Sequence, residues 1–303
     1  MRFPPFIHLF LALLLAPLLL GVINRTKALF AGRRGQPLLQ SYYDIWKLLK
    51  KGAVYSQTTT WVFRAGPIVG LATIVLAITL MPLGKIPALV VFQGDFILFA
   101  YLLGLIRFFI VISALDTGSS FEGMGASREM QFSTLAEPAL FLGLATIARR
   151  TGTLSLTEMI AKISLNTWQM SGLAFALVVV ALLVVLLCEN ARIPVDDPNT
   201  HLELTMIHEV MVLDHSGPDL GFILYGATLK LWALGALLIG IIVPIHSGHT
   251  GLDAALSIGE MLVLAVIIGI VESTMARLRL VRVPQLLVGA GVLTALALIL
   301  VLR

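Results

Sequence analysis

Two stretches of the chain gather carboxylates beside strongly apolar runs, and such acids can exchange protons or pair with buried cations. The first runs from Asp116 through Thr117, Gly118, Glu122, Gly123, Gly125, Ser127, Arg128 and Glu129, and then reaches Glu137 inside an apolar segment. Its three glycines suggest an adaptable loop, with Ser127 capping a helix that begins near Glu129. Glu122 and Glu129 alone read equally well as ordinary loop acids. Glu137 is different, because it falls about two turns into the apolar run, where Pro138 could kink the helix. A carboxyl buried there is tunable by its partners, as a proton path requires.

The second stretch is Cys188-Glu189-Asn190-Ala191-Arg192-Ile193-Pro194-Val195-Asp196-Asp197-Pro198-Asn199-Thr200-His201-Leu202-Glu203. Glu189 ends an almost unbroken apolar run from Leu173, and Pro194 and Pro198 interrupt any continuous helix. Asn199 or Thr200 could cap a new helix through His201, His208 and Asp214, with Asp196 and Asp197 before its positive end. Four acids and an arginine around a broken helix indicate a polar cavity. His201, His208 and His215 are spaced seven apart, about 10 Å per step along a helix, which is too far for one metal ion. His208-Glu209 also lacks the spacing of a zinc-protease motif. These histidines read as structural or interface groups, with proton handling by His201 or His208 as the alternative. Arg107 and Lys230 each lie several residues inside an apolar span. Snorkelling is available to long side chains, but this depth favours pairing with acids such as Glu137, Glu189 or Glu203. Asp95 and Glu272 read as boundary residues, and Glu260 as a candidate for an exit route.

The elements carrying these groups are transmembrane. The chain has 303 residues, of which 58% are hydrophobic and 13% charged, far below the roughly 25% charged content of soluble domains. Runs of about 20 apolar residues fall at 4–22, 66–83, 96–115, 132–148, 168–189, 219–243, 256–274 and 283–302. They predict an all-α, polytopic bundle of about eight transmembrane helices forming one integral membrane domain over 1–303. Long runs without alternation exclude a barrel. The first run follows Arg2 as in a signal peptide, but no small-residue cleavage site follows it, so it reads as the first span. Gly66 and Gly70, and Gly217 and Gly221, permit close helix contact.

Net charge is +4, too small and scattered for nucleic acid. Of the 21 basic residues, 13 fall in the first, third, fifth and seventh loops and six on the opposite side. The positive-inside rule places those four loops in the cytoplasm and both termini outside. Within the first loop, Leu38, Tyr42, Ile45, Trp46 and Leu49 recur at helical spacing over 36–51, beside Lys47, Lys50 and Lys51. That pattern suits a helix at the membrane interface, or one covering the bundle or a partner. Arg33 and Arg34 would anchor at headgroups. The single cysteine, Cys188, permits neither an intrachain disulfide nor a cysteine-held zinc or iron–sulfur site.

The run Glu189-Asn190-Ala191-Arg192-Ile193-Pro194-Val195-Asp196 followed by Glu203 resembles the signature of the subunit 1 (NuoH-like) family of respiratory complex I and related membrane-bound hydrogenases. The string Asp197 to Glu209, with Gly125-Ala126-Ser127-Arg128-Glu129-Met130 and Ala136-Glu137-Pro138, is more similar to the hydrogenase branch. That branch includes the membrane anchor of formate hydrogenlyase and of energy-converting nickel–iron hydrogenases. The resemblance implies an eight-helix anchor in a prokaryotic inner membrane, docking a soluble module and continuing into antiporter-like subunits. Arg25, Arg33 and Arg34 would belong to the docking loop, with Arg128 and Arg192 beside it. Glu122, Glu129, Glu137, Glu189, Asp196 and Glu203 would line an acidic funnel, with Asp197, His201, His208, Glu209, Arg107 and Lys230 as further proton-path candidates.

The implied partners are hydrogenase large and small subunits, an iron–sulfur subunit, an antiporter-like subunit, membrane lipids and a possible formate dehydrogenase module. This chain would bind no cofactor; the nickel–iron centre and the iron–sulfur clusters would sit in those partners. The motif departs from the quinone-reducing branch at Val195 and Asp197, and His201-Leu202-Glu203 keeps only the second acid of its acid-rich stretch. A quinone would therefore bind only under the alternative reading, a quinone-chamber subunit of a complex I-like oxidoreductase. A freestanding transporter is the third class. The large basic loop, the one-sided acids and the lack of obvious repeats fit it less well.

Overall fold

A computed structural model describes residues 6–84, 86–196, 206–244 and 250–303. Asp197, His201 and Glu203 lie outside the described residues. The described elements are helices α1 (Phe6–Phe30), α2 (Gln40–Leu49), α3 (Trp61–Leu80), α4 (Asp95–Asp116), α5 (Ser120–Thr151), α6 (Leu156–Lys162), α7 (Leu165–Glu189), α8 (Gly217–Ile242), α9 (Thr250–Thr274) and α10 (Val283–Leu302). Single 3-10 turns sit at Glu209–Val212 and Leu280–Arg282, and there is no sheet among the described residues. Seven helices, all but α2, α5 and α6, are long and apolar enough to cross a membrane. Helices suit that setting because they satisfy their own backbone groups.

The fourth expected span, 132–148, lies inside α5, which is too polar to qualify by composition. Its course is nevertheless that of a crossing helix. It leaves the Asp116 end of α4 and runs 32 residues, about 48 Å. The chain just beyond it returns to the other end of α4, where Asp95 accepts hydrogen bonds from Ser155 Oγ at 2.8 Å and Leu156 N at 2.6 Å. Asp116 does the corresponding work at the opposite end, accepting from Thr60 N at 2.6 Å and Phe63 N at 3.2 Å. The two acids bracketing α4 are thus caps for neighbouring helices, a more specific role for Asp95 than a membrane boundary.

Two sequence expectations are corrected here. Residues 120–129 are helix rather than loop, and α5 starts at Ser120 rather than near Glu129. The glycines serve close packing: a Cβ on Gly125 would lie 2.3 Å from Val210 Cγ1 and 2.9 Å from Ile207 O. The expected helix through His208 and Asp214 is also absent. The described part, 206–216, holds only one 3-10 turn, so His208 and His215 do not share a helical face.

Helix α8 is the hub, packing against α1, α2, α3, α7 and α9, while α10 fills the space between α5 and α7. Its buried Trp232 donates to His8 Nε2 at 3.1 Å, and His8 Nδ1 bonds Met81 O at 2.7 Å. This closes α1, α8 and the end of α3 around a satisfied imidazole. Helix α2 lies against α1 and α8, with the Tyr42 hydroxyl donating to Leu14 O. Its approach needs Gly21, where an added Cβ would stand 2.0 Å from Leu38 O. Overpacking against backbone costs about 1–3 kcal/mol. Gly21→Ala is therefore expected to loosen the 37–51 segment and speed limited tryptic cleavage at Lys47, Lys50 and Lys51.

Candidate ion-coupling site

Arg107 sits at the middle of α4, 6% exposed, and its guanidinium reaches three acids on two other helices. One terminal nitrogen meets Glu137 Oε1 on α5 at 2.6 Å, and the other meets Glu189 Oε1 at the end of α7 at 2.5 Å. Arg107 Nε lies 3.6 Å from Glu129 Oε1 on α5. Glu189 turns its second oxygen toward Lys230 Nζ on α8, at 3.7 Å. Four helices thus converge on two cations and three carboxylates. A planar fork suits this use better than an ammonium would. Arg107, Glu189 and Lys230 are buried and so require their partners, because an isolated charge in apolar surroundings is costly.

Among the described residues, three carboxylates meet two cations, so this cluster can hold or release a proton while staying close to neutrality. A cleft between α3, α4 and α8 approaches it from one side. Gly66, Gly70, Ile106, Gly226, His208 and Lys230 are among its lining residues, and it has about 30 Å³ of room. That is enough to admit water. The His208 imidazole is pulled down to about 4 by burial and by the Lys230 ammonium, against the opposing effect of Glu189. It is therefore neutral at neutral pH and could relay a proton without carrying a standing charge.

The chain turns sharply after Glu189. Asn190 Nδ2 donates back to Leu186 O at 2.8 Å, and Ala191 takes a positive φ of 48°. That turn directs Arg192 inward, where it is 8% exposed and 3.2 Å from Glu272 Oε1 on α9. Lys27 of α1 meets the other oxygen of Glu272 at 2.8 Å. Asp196 Oδ1 pairs with Arg277 at 2.7 Å, while its Oδ2 accepts from Ile207 N at 3.0 Å and His208 N at 3.3 Å. A second ionic network therefore ties α1, α9 and the segment after α7.

Several sequence-selected residues do structural work at this end. Glu122 Oε1 accepts from Asp214 N at 3.1 Å, and Arg128 donates to Met206 O at 2.9 Å. With Asp196, they hold the backbone of 206–214 against α5. Glu209 opens the 3-10 turn and is half-buried. Arg25, Arg33 and Arg34 are exposed, as a docking surface requires, whereas Arg192 is internal. Glu272 and Lys27 were not singled out for chemistry from the sequence; Glu272 near a helix end looks ordinary until its partners are known.

His215 stacks on Phe63 with ring centroids 4.0 Å apart. Ser113 Oγ donates to Phe63 O at 3.1 Å and therefore accepts from His215 Nε2 at 3.2 Å. His215 Nδ1 then has no hydrogen-bond partner among the described residues. Burial lowers this imidazole from 6.5 to about 4. Between those values the unfolded chain binds a proton that the folded one refuses, so stability rises with pH across that window. The protein is expected to lose thermal stability as pH falls from 6.5 toward 4, and His215→Gln to lose less. Melting curves in detergent across that range check this.

Among the described residues no group of three or more His, Cys, Asp or Glu is placed to hold a metal ion. The solved archaeal membrane-bound sulfane sulfur reductase, a respiratory membrane complex, contains a chain of the same fold. It superposes with a TM-score of 0.83, covering 98% of both chains at 20% identity. Formate hydrogenlyase subunit 4 of Escherichia coli K12 is 31% identical over 289 residues, covering 93% of this chain and 92% of that protein. Hydrogenase-4 component C of the same organism is 32% identical over 271 residues, covering 88% and 84%. The family described as NADH dehydrogenase matches residues 5–303. This multi-pass membrane chain therefore belongs to the NADH dehydrogenase family and is homologous to the formate hydrogenlyase and hydrogenase-4 components.

Proposed function

We propose that this chain is the non-catalytic membrane anchor and ion-coupling subunit of a hydrogen-evolving complex of the formate hydrogenlyase or energy-converting hydrogenase type. The observation that carries the reading is the four-helix cluster around Arg107, with its three described carboxylates on two cations, directly beside the folded segment after α7. Homology to the two hydrogenase-complex components supports the choice of partner. A soluble nickel–iron module would dock at the basic end, against Arg25, Arg33, Arg34 and the 206–216 segment. Electrons would remain in that module and its iron–sulfur subunits. Charge changes at its foot would act on Asp196, Glu189 and Glu129 and move a proton through the cluster toward an antiporter-like neighbour. Asp197, His201 and Glu203 belong to the same funnel in this reading.

The basic end faces the cytoplasm of a prokaryotic inner membrane, with both termini outside. Helix α2 suits the interface there. Tyr43 and Trp46 are each 61% exposed, and Lys50 Nζ lies 4.7 Å over the Trp46 ring. Purification from membranes in mild detergent tests the assignment. Copurification of a nickel-containing hydrogenase module supports it, a flavin-containing NADH module with bound quinone supports the alternative, and isolation as an active monomer rejects both.

A further inference from the structure

Helix α1 carries Pro17, which has no N–H to offer the Leu13 carbonyl one turn earlier. The gap is filled from outside the helix: the Tyr225 hydroxyl of α8 donates to Leu13 O at 2.7 Å. The next rung is shared as well. The Tyr42 hydroxyl of α2 donates to Leu14 O, and the Leu18 N–H, the ordinary helical donor to that carbonyl, bonds the same hydroxyl. A side chain at a rung beside a proline is a recognised cause of bending. On either side of this point α1 belongs to different neighbours. Its outer part is fixed through His8 to Met81 O and Trp232. Its inner part lies on α9, with Thr26 against Gly269 and Lys27 on Glu272. The α2 segment bridges α1 and α8: Leu38 closes on Gly21, and Leu48 and Leu49 close on Gly221. Tyr43, Trp46 and Lys47 on its other face are exposed.

We propose that α2 is a lever on a hinge in α1 at Pro17, and that Tyr42 is the positioning residue that joins the two. The inference rests on the reading above that a soluble module docks at the basic end. A module seated there displaces α2 through its exposed face, and Tyr42 carries the displacement into the rung between Leu14 and Leu18. The outer part of α1 is locked at His8, so the inner part takes up the movement. Lys27 passes it to Glu272, whose other oxygen holds Arg192, three residues after Glu189. The Arg107 cluster thereby senses docking through a chain of ion pairs, without the module touching a buried acid. Leu13 O and Leu14 O both keep hydroxyl donors from neighbouring helices, so bending leaves neither carbonyl unpaired. Because neither donor belongs to α1, the angle of the hinge is set by where α2 and α8 stand.

The test places two spin labels across the hinge, at the exposed positions Phe10 and Leu29, about 28 Å apart along the helix, in the intact complex held in lipid. Pulsed distance measurements are made with the module docked and after it has been stripped away. The expected result is a change of at least about 2 Å between the two states, the scale of helix shifts in switching proteins, and its loss in Tyr42→Phe. Removing that hydroxyl should also lower proton movement per hydrogen evolved by about 2- to 30-fold, the range for residues along a coupling route, with the module and hydrogen evolution retained. A residue serving stability alone would lower all three together. If Tyr42→Phe fails to fold, Pro17→Ala gives the same reading by restoring the Leu13 rung and removing the hinge. An unchanged distance on stripping overturns the proposal, as does a change that survives in Tyr42→Phe or Pro17→Ala, or unaltered proton movement per hydrogen in Tyr42→Phe. A distance change in a complex whose module holds no nickel removes only the hydrogenase assignment. A constant distance in one that holds nickel removes only this inference.

Discussion

Replacing Arg107 by glutamine is expected to destabilise the solubilised protein by about 3–5 kcal/mol, the range for breaking a buried ion pair from one side. The guanidinium is the common partner of Glu129, Glu137 and Glu189, so its loss leaves like charges facing one another across α5 and α7. Arg107→Lys should recover only part of the loss. One ammonium cannot meet acids in three directions as the fork does. The pairing has a direct signature in a double-mutant cycle. Arg107→Gln combined with Glu189→Gln should cost less than the sum of the single changes, with a coupling of about 0.5–3 kcal/mol. Denaturation in mild detergent measures all four members of the cycle, and additive costs would refute the pairing.

The second large effect belongs to the network at the basic end. Glu272 is fully buried and holds Lys27 and Arg192, one on each oxygen. One turn earlier, Gly269 lets α9 approach α1 closely, since a Cβ there would lie 2.7 Å from Thr26 Cβ and 3.1 Å from Ile23 O. Glu272→Ala would leave two cations together with no counter-charge between them, at a cost again of about 3–5 kcal/mol. Because Arg192 begins the segment that leads to Asp196 and the 206–216 region, the damage should extend beyond stability. Retention of a soluble module should fall along with the melting temperature. Glu272→Asp keeps the charge but shortens the reach, and should retain part of each. A Glu272→Ala protein with normal melting and normal module retention would show that this network does not position the segment.

How much of this was legible beforehand depends on where the physical signal lies. Apolar length located the crossing helices, because backbone satisfaction in hydrocarbon leaves so few choices. It undervalued α5, whose Glu122, Arg128, Glu129 and Glu137 meet neighbouring segments. Arg107 and Lys230 were legible as paired groups because their depth in apolar runs makes solitude costly. Their partners Glu137 and Glu189 were legible for the same reason. Glu272 was not: it stands near a helix end, where an acid needs no explanation, and Arg192 is 80 residues away in sequence. The glycines of 118–125 were read as loop-formers, but Gly125 serves close packing that becomes apparent only once Val210 is placed beside it. Likewise, the helical spacing of His208 and His215 carried no information, since the segment between them is one 3-10 turn with irregular flanks.

The central claim is that the Arg107 cluster couples ion movement to the chemistry of a docked module, and Glu189→Gln tests it most directly. The amide keeps the size of the side chain and can still bond Arg107, but it cannot carry a titratable proton. Inverted membrane vesicles containing the assembled complex would be assayed for hydrogen evolution and for proton movement together. The account predicts normal assembly, continued hydrogen evolution, and proton movement per hydrogen reduced by about 10²-fold, the scale of losing a positioned proton-transfer group. Unchanged proton movement per hydrogen in the Glu189→Gln complex would contradict it.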